Sequence, residues 1–264
     1  MSNIHQSSIV SSGAKIAESA VIGAFSIVES GVEIGENTVI EPNAHIYSGA
    51  KIGANCRICG FCTIAGEPQD LHFDSNLKTY VEIGDGTVVR EGSTIHRATF
   101  EGAATKIGKN CLLMANSHVG HDCVLGDRVI LASFSAVAGH VHVGDDTFIS
   151  GGVMLHQKIQ VGCGVIISGC SASSEDVPPY VIAYGRNNIS GLNVVGLMRR
   201  KTPKEAIDEL RKLYLFVYAG GSPRRNARQA LESGMASTAE GKIFLQFFVD
   251  TEGGRPILRP RKIG

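Results

Sequence analysis

Every sixth residue from Ile4 is a β-branched aliphatic: Val10, Ile16, Ile22, Val28, Ile34, Ile40, Ile46, Ile52, Ile58 and Ile64 follow without a miss. Four places after each of the first ten comes a small or β-branched residue: Ser8, Ala14, Ala20, Ser26, Val32, Thr38, Ala44, Ala50, Cys56 and Cys62. An α-helix repeats near 3.6 residues and a half-exposed strand at 2, so neither gives this pattern. A short flat strand followed by a tight turn, repeated, does. The phase is lost at Gly66–Tyr80, returns at Ile83, Val89 and Ile95, and blurs at Phe100–Lys106, so both segments read as loops. It then runs from Ile107 in steps of six to Ile167, with companions such as Cys111, Ser117, Cys123, Ser135, Thr147 and Ser171, and stops near Ser173.

Three hexads that close a triangular coil place residues 18 apart above one another, so aliphatics stack along each corner of a prism with flat outer faces. The 32 glycines and the absence of tryptophan suit such a chain of tight turns around a narrow interior. The open end of the prism exposes core, and the tail is expected to cap the other end. Thr202-Pro203-Lys204-Glu205 reads as an N-cap Thr, Pro at the first helical position and Glu at the third. Ala206, Leu210, Leu213, Tyr214 and Val217 then fall on one helical face that ends at Gly220-Gly221. A second helix is expected from about Glu240 to Val249, with Ile243, Phe244, Phe247 and Phe248 as its apolar face, and the last dozen residues should fray. The division is residues 1–190 for the coil and 191–264 for a C-terminal helical domain.

Lys+Arg and Asp+Glu balance at 25 each, which excludes the global basic field that holds nucleic acid. No long apolar run suggests a membrane span, and MSNIHQSS lacks a secretion signal, so a cytoplasmic chain without an integral membrane segment is expected. Seven cysteines, an odd number, then read as reduced thiols. Cys56-x2-Cys59-x2-Cys62 resembles a metal run, but Cys56 and Cys62 hold the small inward position while Cys59 faces elsewhere, so no metal is assigned there.

Six of the nine histidines lie between residues 96 and 156: His96, His118, His121, His140, His142 and His156. His121 and His140 are 19 apart, nearly on one face, and Asp122 lies 18 before His140, directly beneath it. A neutral His beside a carboxylate is the arrangement of an oriented general base.

The stretches Ala115–Cys123, Ala138-Gly139-His140-Val141, His156-Gln157 and Asp176–Ala183 resemble the acyl-[acyl-carrier-protein]–UDP-N-acetylglucosamine O-acyltransferases of lipid A biosynthesis. The loop Gly66–Leu71, the run Thr94–Arg97 and Gly196–Arg200 resemble the same family. The resemblance implies an all-β left-handed parallel β-helix with a C-terminal α-helical domain, assembled as a homotrimer, with no cofactor and no metal. It implies transfer of a 3-hydroxyacyl group from acyl carrier protein to the 3-hydroxyl of UDP-N-acetylglucosamine. By position His121 is then the base, Asp122 its support and Gly139 the oxyanion donor. Gln69, Asp70, His118, His140 and Gln157 hold the sugar and the acyl hydroxyl. His156, Asn193 and Arg200 hold the uridine and diphosphate. Gly169 matches a position that limits acyl length, and its lack of a side chain suggests a chain of roughly fourteen carbons, each buried CH₂ adding about 0.8 kcal/mol. Arg199-Arg200-Lys201 reads as a steering patch for an acidic carrier, whereas Arg259, Arg261 and Lys262 read as solvated charge. His72 and Val195 depart from the family pattern beside Asp70 and Asn193.

Three other readings stay open on the residues alone. A zinc-dependent hydratase like the gamma-class carbonic anhydrases would use His118, His121 and His140 as ligands, but leaves Asp122, Gln69-Asp70 and the C-terminal helices without work. An acyltransferase with an amine acceptor, a 3-amino UDP-sugar or the later N-acyltransferase of the pathway, shares the scaffold; the latter carries an extra N-terminal domain, whereas hexads begin here at residue 4. A structural or ice-binding prism would show ranks of identical outward Thr or Ser, and the outward residues are mixed.

Overall fold

The computed structural model describes residues 3–260. The chain winds as a three-sided parallel β-helix of two- to five-residue strands. Its walls are three sheets of nine, eight and eleven strands, in which each strand pairs with the strand three places on. The register steps by 18, as in Val10↔Val28 and Ile16↔Ile34. The hexad aliphatics point inward, and Val28, Ile40, Ile46, Ile58, Ile64, Val89, Val119 and Ile149 are fully buried. Each such side chain contributes about 1.5–3 kcal/mol by leaving water, so the prism is held by a stack of many small, repeated gains.

Most companion positions are buried as well, and several of their hydroxyls bond the next turn. The Thr38 hydroxyl donates to Gly53 O at 2.7 Å and the Thr147 hydroxyl to Gly162 O at 2.9 Å. Where the companion is Ser, Thr or Cys its short side chain can satisfy such a buried carbonyl. At the N-terminal end Ile4, Val10 and Ile16 are only partly buried, as the open end of a prism requires.

Corners need left-handed backbone. Asn37, Asn43, Asn55, Asn110 and Asn116 supply it with φ of 54–64°, the residue type that tolerates this region best after glycine. Asp122 and His140 occupy the same kind of corner at φ 58° and 60°.

Two loops break the step of 18. One, residues 67–79, lies between the strands Thr63–Gly66 and Tyr80–Ile83. The second ends sooner than the sequence pattern suggests, because the strand Ala104–Ile107 already pairs with Tyr80–Ile83; the loop is residues 97–103. After the strand Ala172–Ser173 the eleven-stranded sheet is extended by Val181–Tyr184, by the antiparallel Asn188–Leu192 and by Arg259–Pro260. The strand Asn188–Leu192 therefore crosses the expected division at 190/191. The tail does not fray up to residue 260: Leu258 is fully buried and joins the prism core. Arg261 and Lys262 lie outside the described residues.

Four helices follow the coil: α1 (Val194–Arg199), α2 (Lys204–Tyr218), α3 (Pro223–Glu232) and α4 (Ala239–Asp250). They enclose a second buried cluster that includes Leu197, Leu210, Leu213, Phe244 and Phe248, while Tyr214 and Tyr218 pack against the prism. The face of α2 is the expected one. Its cap is not: Pro203 precedes the helix and no side chain caps it. Thr202 is engaged elsewhere, its N–H donating to Leu197 O at 3.1 Å to close α1. On α4 Leu245 is buried and Ile243 is exposed, because the helix packs by Gly241, Phe244, Leu245 and Phe248. Neither α1 nor α3 was expected. No helix among the described residues is long and apolar enough to cross a membrane, and all seven cysteines are free.

Candidate active site

The nine-stranded sheet carries an outward rank of Thr94, His118, Ala136, Met154 and Ala172, set one above another by the register of their strands. The corner that leaves this sheet carries His121, Asp122, Gly139, His140 and Gln157. Between rank and corner lies a cleft of about 310 Å³ lined by Gln69, His96, His118, His121, Gly139 and Gln157, with Ala136, Ala138 and Met154 as its apolar wall. The wall continues into a mostly apolar groove of about 420 Å³ past His156, Ala172 and Arg186. The loop at 67–79 brings Gln69 there. His96 Nδ1 bonds Glu67 O, and Arg97 pairs with Glu67 at 3.2 Å and lies over the Phe73 ring.

His121 Nδ1 lies 2.7 Å from Asp122 Oδ2, and both side chains are largely buried. His140 Nε2 is 3.7 Å from the same carboxylate, with the His121 and His140 rings edge to face at 5.0 Å. Burial pushes the Asp122 carboxyl up, but bonds from His121 and from the Thr99 N–H and hydroxyl outweigh this and hold it below its ordinary value. An ionised Asp122 accepts from Nδ1–H, which leaves Nε2 of His121 as the basic nitrogen.

Gly139 lies against the edge of that imidazole. A Cβ built on Gly139 would sit 2.6 Å from His121 Nε2 and Cε1. The Gly139 N–H meets no acceptor among the described residues, while its carbonyl accepts from Lys158 N at 3.0 Å. A basic nitrogen and an unengaged backbone donor thus stand side by side. That pair suits removal of a proton from an attacking hydroxyl and stabilisation of the oxyanion that forms.

The neighbouring histidines are neutral donors and acceptors. Burial, with the nearby His96 and His121, depresses His118 to about 4, and its Nδ1 bonds Thr94 Oγ1 at 2.8 Å. Burial also lowers His96, and it lowers His140 against the opposing charge of Asp122 and Asp70. Asp70 is exposed and accepts from His72 N–H at 2.9 Å, so the departure at His72 leaves this turn intact.

The remaining site residues lie apart. Asn193 is buried, its Nδ2 donating to Gly164 O at 2.9 Å and its Oδ1 capping α1 at Gly196 N–H. Both ends of its amide are thus engaged within the chain, and it caps α1. Arg200 lies against Gly164 and Tyr180, with one buried terminal nitrogen that lacks a partner, and Arg199 is exposed. Gly164 is on the corner after the strand Gln160–Val161, whereas His140 is on the corner after Ala136–Val137. Gly169 stands exposed before the strand Ala172–Ser173; a Cβ there would meet only Gly151 O, at 3.5 Å.

His121, Asp122 and His140 offer ligand atoms within 4.8 Å of one another, as do Glu41, Cys59 and Glu91. The first group is the acid–base cluster, its Asp already held by the donors named above. In the second, Arg57 and Arg90 already pair with the carboxylates, and burial pushes the Cys59 thiol up to about 11. Cys56 and Cys62 belong to the prism core instead.

Sequence comparison adds to this geometry. Residues 31–66 and 104–139 match the bacterial transferase hexapeptide family, and residues 176–258 match the second domain of UDP-N-acetylglucosamine O-acyltransferase. Fold and site together define a hexapeptide-repeat acyltransferase, a left-handed parallel β-helix followed by helices. A curated acyl-[acyl-carrier-protein]–UDP-N-acetylglucosamine O-acyltransferase from Campylobacter concisus is 35% identical over 99% of this chain and 100% of its own length. The UDP-N-acetylglucosamine acyltransferase structure from Campylobacter jejuni superimposes with a TM-score of 0.89 at 35% identity, covering 97% of this chain and 100% of that one. The corresponding structure from Moraxella catarrhalis gives 0.91 at 34% identity, with 97% and 100% covered. The chain belongs to the acyl-[acyl-carrier-protein]–UDP-N-acetylglucosamine O-acyltransferase family.

Proposed function

We propose that this site transfers a 3-hydroxyacyl group from acyl carrier protein to the 3-hydroxyl of UDP-N-acetylglucosamine, the first step of lipid A biosynthesis, with His121 as general base. The observation that carries the residue roles is the His121–Asp122 pair with Gly139 against the imidazole edge that bears Nε2. His121 Nε2 takes the hydroxyl proton as the oxygen attacks the thioester carbonyl. The Gly139 N–H receives the oxyanion. Collapse of the tetrahedral intermediate breaks the carbon–sulfur bond, and the imidazolium returns its proton to the leaving thiolate. His118, His140, Gln69, Asp70 and Gln157 hold the sugar and the acyl hydroxyl, and the Ala136–Met154–Ala172 groove takes the acyl chain toward Gly169.

The same reading includes a homotrimer, and one feature of the prism favours it. The eleven-stranded sheet presents a vertical rank of Val88, Leu112, Ile130, Phe148, Ile166 and Ile182, all half-buried in a single chain, which a second copy would cover. In the trimer His156 and the Arg200 of a neighbouring copy hold the uridine and diphosphate, Arg by its two-pronged donation to phosphate oxygens. Arg199 and Lys201 steer the acidic carrier, and the chain works in the cytoplasm.

A metal-assisted reading has one observation in its favour, the ligand spacing of His121, Asp122 and His140. The deciding experiment incubates the protein with UDP-N-acetylglucosamine and 3-hydroxyacyl carrier proteins of several chain lengths, with and without chelator, and follows acyl-sugar by mass. Chelator-insensitive product is the expected result. Activity that requires metal would overturn His121 as base, and no product from any donor would redirect the search to a 3-amino acceptor.

A further inference from the structure

From Ile83 to Ile107 the turn spans a separation of 24, six more than the 18 of the regular coil, and Thr94 pairs with His118 at the same separation of 24. The extra residues form the loop at 97–103, and that loop returns to the corner that carries the base. Thr99 N–H donates to Asp122 Oδ1 at 3.0 Å and its hydroxyl to Asp122 Oδ2 at 2.8 Å. Thr105, at the loop's far end, accepts from Asp122 N–H at 2.8 Å. The carboxylate is thus gripped on both oxygens from one side while His121 bonds Oδ2 from the other.

This grip has a task. Asp122 stands at a corner of the coil with φ 58°, a conformation Asp tolerates, so what has to be fixed is its side chain. His140 competes for the same Oδ2 at 3.7 Å. A carboxylate free to swing would exchange His121 for His140, and Nε2 would lose its bearing on Gly139. The loop at 97–103 interrupts the hexad rhythm, and its Thr99 has no other side-chain partner.

We infer that Thr99 is a positioning residue for the acyl transfer: its hydroxyl fixes the rotamer of Asp122 and through it the tautomer and aim of His121. The inference rests on the reading of His121 as base. Thr99 touches no substrate in this account, so its loss lowers kcat and leaves KM nearly unchanged.

The test measures kcat and KM for acyl transfer, with thermal melts, for Thr99→Val, Thr99→Ala, Thr99→Ser, His121→Ala and the double variant His121→Ala/Thr99→Val. Loss of one hydrogen bond to a charged group predicts a kcat about 10- to 100-fold lower for Thr99→Val, with KM within about twofold. Thr99→Ser, which keeps the hydroxyl, restores the rate. Thr99→Ala serves where the valine disturbs the loop. In the His121→Ala background the Thr99→Val change costs nothing further, because the group it aims is gone. An unchanged kcat in Thr99→Val beside an inactive His121→Ala overturns the inference alone, and so does an equal loss in both backgrounds. A His121→Ala enzyme at full rate would remove the base itself and the inference with it.

Discussion

Gly139→Ala is the sharpest test of the site because the structure fixes what the added methyl meets. The new Cβ would lie 2.6 Å from His121 Nε2 and Cε1, and ordinary contact begins near 3.4 Å. The imidazole must therefore retreat by about 0.8 Å, the difference between these distances. It cannot retreat freely, since Nδ1 is held by Asp122 at 2.7 Å. Either that bond stretches or the ring turns away from the oxyanion donor. A misplacement of about 1 Å at a reacting group costs about 10²-fold in rate. Overpacking costs about 1–3 kcal/mol in a closed core, but the atoms the methyl meets most closely are those of the His121 ring, which lines the cleft, so the melting temperature should fall by no more than a few degrees. The assay is steady-state acyl transfer beside a thermal melt. A folded Gly139→Ala enzyme within about threefold of the parent kcat would refute the placement of His121 against Gly139 as the reactive geometry.

Other consequences can be checked with equal economy. His121→Ala should remain folded and lose about 10²–10⁴-fold in kcat, the range for a general base, whether or not chelator is present; a metal-dependent residual rate would speak for the hydratase-like alternative. The folded protein depresses His118 to about 4 against the ordinary value near 6.5, so the unfolded chain binds more protons between these values and stability falls as pH drops through that window. The loss is on the order of 1–3 kcal/mol and should shrink in His118→Gln, which melts over pH 7 to 4.5 would reveal. If the bare Gly169 sets acyl length as proposed, a panel of 3-hydroxyacyl carriers should favour roughly fourteen carbons, and Gly169→Met should shift the preference to shorter chains; a ten-carbon optimum in the parent enzyme sinks this assignment. Thr238 Oγ1 caps α4 through Gly241 N–H at 3.0 Å, so Thr238→Ala should cost about 1 kcal/mol in urea titration, whereas Thr202→Ala should cost nothing by capping.

Much of the prism was legible in the sequence because the coil is nearly one-dimensional. A step of six fixes which side chains point inward, a step of 18 fixes which ones stack, and the buried positions follow both. The adjacency of Asp122 and His140 needed no more than that arithmetic. The left-handed corners at Asp122 and His140 carry no signal of their own, since Phe25, Phe61, Arg128 and Phe134 occupy the same kind of corner. The helices were harder. α3 buries only Pro223, Ala227 and Ala230, too faint a stripe to stand out, although Ser222 before Pro223 was a start signal. α1 is only six residues long, and no apolar period marks it or its capping Asn193.

By itself, then, the sequence determined every quantity that depends on spacing along a regular coil: the walls, the core and the vertical neighbours of the histidines. Tertiary structure decided what the irregular segments do, because a loop that leaves the register can return to any point on the surface. Gln69 at the cleft, Thr99 on Asp122, Thr202 engaged in closing α1 and Leu258 returned to the prism core are all of that kind. Their positions follow from long-range hydrogen bonds and burial, which no local period encodes.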